Sequence, residues 1–213
     1  MPINRHSKTF EIYLNELLEW NKKFNLTSIV DPEEIRKKHF EDSLLLLEVI
    51  DLSNQSVVDI GTGAGFPGIP LKIVRPEIKL TLLEATKKKV EFLKHLVSTL
   101  ALQKVEVVWT RAEDYAKEKR EAFDIALSRA VARLNILSEY CLPLVKVGGI
   151  FVAYKEEKVE DEIKEAETAI EILGGKLKEV KRFPLRSLVI IDKIKPTPAK
   201  YPRRAGMAKK RPL

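Results

Sequence analysis

Asp59, Gly61, Gly63, Gly65 and Gly68 follow the apolar pair Val57-Val58 and are the residues best spaced to hold a ligand. Glycine is needed where the backbone takes positive φ or where a side chain would block close approach. This spacing therefore describes a buried strand that turns sharply beneath a bound molecule. A second apolar run, Leu80 to Leu83, ends in Glu84. In a doubly wound sheet a carboxylate at that place takes the two hydroxyls of a ribose. The chemistry implied is recognition of a ribose-bearing cofactor.

Two cofactor classes compete for the loop. Read from Gly63, Gly63-Ala64-Gly65-Phe66-Pro67-Gly68 has the glycine spacing of a dinucleotide loop. Read from Asp59, it is acid-x-Gly-x-Gly-x-Gly, which resembles motif I of class I methyltransferases that use S-adenosylmethionine. The second reading fits better. A carboxylate at Asp59 is awkward beside a pyrophosphate and suits a cationic methionine moiety. With Gly61 as the turn glycine, Phe66 falls where a dinucleotide loop needs glycine or alanine. Asp59, Gly63 and Glu84 are thus expected at a cofactor.

The elements that would position these residues alternate strand and helix. Strands are expected at 79–83, 104–109, 123–128, 148–155, 177–183 and 187–194, and helices at 68–74, 87–101, 112–119, 133–143 and 159–173. Only Pro184-Leu185-Arg186 joins the last two strands. Parallel neighbours need a crossover of a dozen or more residues, so these two must be antiparallel. The pattern predicts an α/β fold of the class I methyltransferase type, a Rossmann-like doubly wound sheet whose last strand is reversed. Before it, Phe10, Tyr13, Leu14, Leu17, Leu18 and Phe24 recur at helical spacing. Asp31-Pro32-Glu33-Glu34 caps a second helix running to about Ile50 with Ile35, Phe40, Leu44 and Leu47 inward. The chain is thus divided into a helical extension over 1–50, a catalytic domain over 51–195 and an arm over 196–213.

Ligands bind at the carboxyl ends of parallel strands. There stand Ala112 and Glu113 after the third strand, Arg129 after the fourth and Lys155 after the fifth. Asn25, His39, Asp42 and Ser43 form a mix of amide, imidazole, carboxylate and hydroxyl able to line a site beside the loop.

The net charge is +7, and the arm accounts for nearly all of it: Lys200, Arg203, Arg204, Lys209, Lys210 and Arg211 stand there with no acid. Four prolines and a glycine oppose a regular helix or strand in the arm. An extended cationic segment suits a phosphate backbone. Cys141 is the single cysteine, which excludes a disulfide scaffold. Nothing resembles a secretory leader or a membrane span, so a soluble cytoplasmic protein is expected.

The chain as a whole resembles the bacterial small-subunit ribosomal RNA guanine-N7 methyltransferases, also called the glucose-inhibited division protein B family. The resemblance rests on Trp20-Asn21 through Asn25-Leu26-Thr27, on His39 with Asp42-Ser43, and on Asp59 through Pro70. Ser128-Arg129-Ala130 and the tail from Tyr201 to Leu213 complete it. It implies methylation of N7 of one guanine in the decoding-region loop of 16S rRNA. Carried over by position, Gly61, Phe66, Ala112, Glu113 and Arg129 would contact the cofactor. Asn25, His39, Asp42, Ser43 and Arg129 would hold the guanine. The arm, with Lys155 and Arg186, would meet RNA phosphates, and deleting 196–213 should then weaken RNA binding while sparing the cofactor. The RNA could be free or in the small subunit, and a monomer with no metal is expected. Rival readings are a methyltransferase for small molecules or proteins, a nicotinamide oxidoreductase, and a non-enzymatic RNA-binding module.

Overall fold

The computed structural model describes residues 2–213. After a helical turn at Pro2–Arg5 come α1 (Ser7–Asn21) and α2 (32–48). Then follow β1 (Ser56–Ile60), α3 (Gly68–Val74), β2 (Lys79–Glu84), α4 (Lys87–Thr99), β3 (Val105–Trp109), α5 (Ala112–Glu118) and β4 (Phe123–Arg129). The chain ends with α6 (Leu134–Cys141), β5 (Val145–Lys155), α7 (Glu160–Ile172), β6 (Gly175–Phe183), β7 (Arg186–Lys193) and the short α8 (Met207–Lys210). No helix among the described residues is long and apolar enough to cross a membrane.

The seven strands form one sheet in the order β3-β2-β1-β4-β5-β7-β6. The first five are parallel, and β7 runs antiparallel to both β5 and β6. The order reverses at β1, between β2 and β4, and a crevice for a ligand opens outside the strand ends at such a switch point. Both faces are covered, so successive residues of the central strands enter opposite cores. Val57, Leu82, Leu127 and Val152 pack with the N-terminal helices, α3 and α4. Val58, Leu83, Ala126 and Phe151 pack with α5, α6 and α7.

The helices before β1 share the sheet's own core. Phe10, Tyr13, Leu14 and Leu17 recur at i, i+3, i+4 and i+7 and are all buried. Each such side chain contributes about 1.5–3 kcal/mol by leaving water. α1 also fixes the glycine loop, because the Tyr13 hydroxyl donates to the Ala64 carbonyl at 2.6 Å.

α2 departs from a simple helix. Asp31 caps it by accepting the Glu34 N–H at 2.8 Å. Pro32–Ile35 is α-helical, Arg36–Glu41 takes the wider π winding, Asp42–Leu44 is α again, and Leu45–Glu48 tightens to 3-10. The winding changes shift the phase of the apolar stripe, so Leu46 is fully buried where the spacing points to Leu47, which is only half-buried. The helix also stops at Glu48, short of Ile50.

The arm is not a free extended strap. Thr197, Tyr201, Pro202 and Ala208 are buried against the domain, and α8 supplies a helical turn after the prolines. Arg120 holds its backbone by donating to the carbonyls of Tyr201 at 2.6 Å, Pro198 at 3.1 Å and Thr197.

Candidate active site

The loop after β1 is built around a buried acid. Asp59 Oδ2 accepts from Thr62 Oγ1 at 2.7 Å and from the Gly68 N–H at 2.8 Å, tying both ends of the loop to the strand. Its other oxygen, Oδ1, is buried with no hydrogen-bond partner. Burial pushes the Asp59 carboxyl up to about 6, against the lowering effect of its two bonds. Glu84 closes the loop from β2: Oε2 accepts the Gly63 N–H at 3.1 Å and Oε1 the Thr86 N–H at 2.8 Å.

Two glycines show opposite reasons for lacking a side chain. Gly65 sits at φ +101°, and a Cβ there would lie 2.6 Å from Ile69 and 2.8 Å from the Tyr13 hydroxyl. Gly63 sits at φ +62°, and a Cβ there would meet nothing nearer than 4.0 Å, so its outer side is open. Gly65 is small because protein crowds it, whereas Gly63 leaves an open cradle.

Two cavities flank the exit of β4. The first, of about 450 Å³, is lined by Gly61, Ala112, Glu113, Val131, Ile136 and Tyr140, with Lys209 at its edge. Its apolar walls and Glu113, with Gly61 at the mouth of the loop that Asp59 and Glu84 hold from beneath, suit a nucleoside. The second, of about 470 Å³, lies on the other side of Arg129 and Ala130. His39, Asp42 and Arg186 line it, with Phe183, Pro184 and Leu185 forming an apolar wall. Residues 129–133 run between the two spaces, and Ala130 there takes the left-handed φ of +57°.

Arg129 organises the second cavity. Its guanidinium donates to Asp42 Oδ2 at 2.8 Å and approaches His39 Nδ1 at 3.2 Å, and it lies 5.0 Å from the Phe66 ring centre. The Arg129 and Asp42 side chains are 8 % and 10 % exposed. Asp42 Oδ1 accepts from Arg186 Nε at 2.6 Å, so one carboxylate bridges two guanidinium groups. Phe66 is stacked between His39 at 4.6 Å and Tyr13 at 5.3 Å. Burial, reinforced by Arg129, lowers the His39 pKa to about 4. His39 is therefore neutral at pH 7. Nδ1 lies 3.2 Å from both the Arg129 guanidinium, which can only donate, and the Lys38 carbonyl, which can only accept, while Nε2 meets Thr27 Oγ1 at 2.8 Å.

The residues expected from sequence fall into distinct places. Gly61, Ala112 and Glu113 line the first cavity, while Asp59, Gly63 and Glu84 form the loop beside it. Arg129 lines the second cavity, on the far side of the β4 exit from the first, and Phe66 is buried beneath it. Ser43 is fully buried; its hydroxyl donates to the His39 carbonyl at 2.6 Å, and its own carbonyl accepts the Tyr154 hydroxyl at 2.8 Å. It shapes α2 and does not reach the cavity. Asn25 is exposed and lines neither cavity. Its neighbour Asn21 fastens that loop instead, accepting from the Leu26 and Thr27 N–H groups at 2.8 and 3.0 Å.

Three expected RNA cations are engaged elsewhere. Lys155 is paired with Glu162 at 2.6 Å and donates to the Ala132 carbonyl at 2.7 Å. Arg186 is drawn into the second cavity by Asp42. Arg203 grips Glu139 through Nε at 2.9 and 3.1 Å. Lys200, Arg204, Lys209, Lys210 and Arg211 are exposed. The wall residues Ile136 and Tyr140, spaced one helical turn apart, were indistinguishable from ordinary core positions by pattern. Leu185 and Phe183 read only as part of a hairpin.

Solved structures share this architecture. A SAM-dependent methyltransferase from Aquifex aeolicus superposes with a TM-score of 0.58 at 19% identity, covering 77% of this chain and 94% of that one. M. jannaschii TYW2, solved in complex with AdoMet, gives 0.61 at 17% identity over 78% and 80%. The fold is that of class I S-adenosylmethionine-dependent methyltransferases. Within that class, residues 6–189 match the family described as GidB, rRNA small subunit methyltransferase G, and the chain belongs to that family. Ribosomal RNA small subunit methyltransferase G of Desulforamulus reducens is 49% identical over 96% of this chain and 89% of its own. That of Moorella thermoacetica is 51% identical over 95% and 88%.

Proposed function

We propose that this protein methylates N7 of a guanine in 16S ribosomal RNA, with the cofactor in the cavity beside Gly61 and the guanine in the cavity lined by Arg129. S-adenosylmethionine, when bound, supplies an electrophilic methyl carbon. Guanine N7 offers a lone pair and carries no proton, so the chain has no proton to remove. The observation that carries this reading is the state of His39. It is neutral and both its ring nitrogens are engaged by protein groups, Nδ1 by the Arg129 guanidinium and the Lys38 carbonyl and Nε2 by the Thr27 hydroxyl, so it is not set as a general base. A side chain locked in this way suits positioning and charge placement, the work left when the acceptor is a bare lone pair.

Asp42, His39 and the Phe66 ring fix Arg129, whose remaining donors suit guanine O6, the acceptor adjacent to N7. The apolar wall at Phe183–Leu185 suits the face of an unstacked base. N7 is poorly accessible in an A-form helix, so a loop nucleotide or an opened strand is the expected form of the substrate. The exposed cations of the arm would meet phosphates beside it. The rRNA is read as the partner of a monomeric, cytoplasmic enzyme.

The test is to incubate the protein with labelled S-adenosylmethionine and unmodified 16S rRNA, free and in small subunits, and to map the product. One 7-methylguanosine in a single-stranded loop is expected. Methylation of another atom, or of a small molecule or protein in preference to RNA, would overturn the reading.

A further inference from the structure

The arm over 196–213 reaches the first cavity through a chain of mostly part-buried contacts. Thr197 is anchored at the arm's base, its N–H donating to Glu121 at 2.7 Å and its hydroxyl to the Leu173 carbonyl at 2.8 Å. Arg203 then closes on Glu139 with its backbone N–H at 2.8 Å as well as its side chain, and Glu139 is 1 % exposed. Three residues further on, Gly206 turns at φ +80° and donates its N–H to Glu113 Oε1 at 2.7 Å. Ala208 is buried, and Lys209 stands at the cavity edge. Both acceptors belong to elements that line the cavity: Glu139 to α6, with Ile136 and Tyr140, and Glu113 to α5, with Ala112.

We infer that residues 203–209 form one wall of the cofactor cavity and that the Arg203–Glu139 pair is the positioning contact that seats this wall. The inference rests on reading the cavity beside Gly61 as the cofactor's. It reverses the sequence expectation that the arm serves RNA alone and that its loss spares the cofactor. A partly buried, bidentate arginine–carboxylate contact holds the arm in one geometry. Glu113, expected from sequence to contact the cofactor, is half engaged by the Gly206 N–H and so is oriented by the arm. Lys200, Arg204, Lys210 and Arg211 are exposed along the same segment. RNA engagement and cofactor binding would then act on one element, and by linkage whatever factor one changes the other's affinity by is returned in full.

The experiment uses the full-length protein. Calorimetry measures the affinity for S-adenosylhomocysteine, and amide hydrogen exchange follows residues 197–211. In the unaltered protein the ligand should raise protection at Gly206–Lys209 together with the loop at Gly61–Gly65. Arg203→Ala should weaken binding about tenfold or more and deprotect Gly206. That variant leaves Glu139 buried without its partner, so Gly206→Ala provides a second route. A Cβ there meets nothing within 4 Å, and only the left-handed turn is strained. It should weaken binding severalfold while the exchange of the central strands stays as it was. Folded variants with unchanged affinity, or ligand binding that leaves the arm's exchange unaltered, would overturn the inference. Failure of the unaltered protein to bind the ligand at all would instead overturn the reading of the cavity.

Discussion

The two cavities beside the β4 exit are made in different ways. The side we assign to the cofactor is made mainly of backbone: glycines, strand ends and two carboxylates that hold amides in place. The side we assign to the acceptor base is made of side chains brought together from α2, β4 and the β6–β7 hairpin, with Arg129, Asp42 and Arg186 forming one ionic chain. A backbone site can be read from local spacing, because the constraint falls on consecutive residues. A side-chain site depends on contacts such as Arg186 to Asp42, between residues far apart in the chain. The first is set by what a loop can do and the second by what the whole fold brings near.

The most severe test of this division is Arg129→Ala. Methyl transfer should fall by about two to three orders of magnitude, as for loss of a preorganised donor. Cofactor affinity by calorimetry should stay within about threefold, a change worth less than 1 kcal/mol. An equal loss of cofactor binding would merge the two sides into one site.

Asp59→Asn probes the other side. The folded-state value of about 6 lies above the ordinary carboxylate range, so the native protein binds the extra proton between about pH 4 and 6. Stability should therefore fall as pH rises through that window, by about 2–3 kcal/mol. The amide variant should lose this slope and melt a few degrees higher at pH 7 without cofactor, by about 2–4 °C per kcal/mol. It should also bind the cationic cofactor more weakly. Asp59 thus trades stability for a charge held ready, and a variant no more stable than the parent would refute that.

Glu84→Gln should weaken cofactor binding by about 10–100-fold, the loss of charge-assisted hydrogen bonds. RNA binding measured by filter retention should not move. The smallest effect is expected for Lys210→Ala, which should reduce RNA affinity a few-fold. It should also flatten the logarithmic salt dependence by about 0.7, the share of one phosphate contact on a single strand. A salt slope identical to the parent's would place Lys210 away from the RNA.

Much of the fold was legible in sequence because its determinants are local. Glycine spacing, the acid ending β2, the three-residue link before β7 and the cap at Asp31 each constrain neighbouring residues. Phe66 was placed correctly in the loop, yet its stacking between Tyr13 and His39 is tertiary and left no trace in the pattern. The π winding in α2 was equally hidden, since Leu46 and Leu47 are the same residue type and only the phase separates them. Charge sign could be read but pairing could not. Lys155 and Arg203 look like free cations until Glu162 and Glu139 are seen beside them. Asn25 and Ser43 are also of types suited to a site, yet Asn25 lines neither cavity and Ser43 is buried within α2.

The short stretch from Arg129 to Arg133 has a pharmacological corollary. A nucleoside mimic that fills only the compartment next to Gly61 would meet the glycine loop, strand ends and Glu113. A bisubstrate inhibitor, tethering a purine to such a mimic across Ala130, would also engage the arginine–aspartate–arginine chain peculiar to the opposite compartment. Its two halves would reinforce each other through effective concentration.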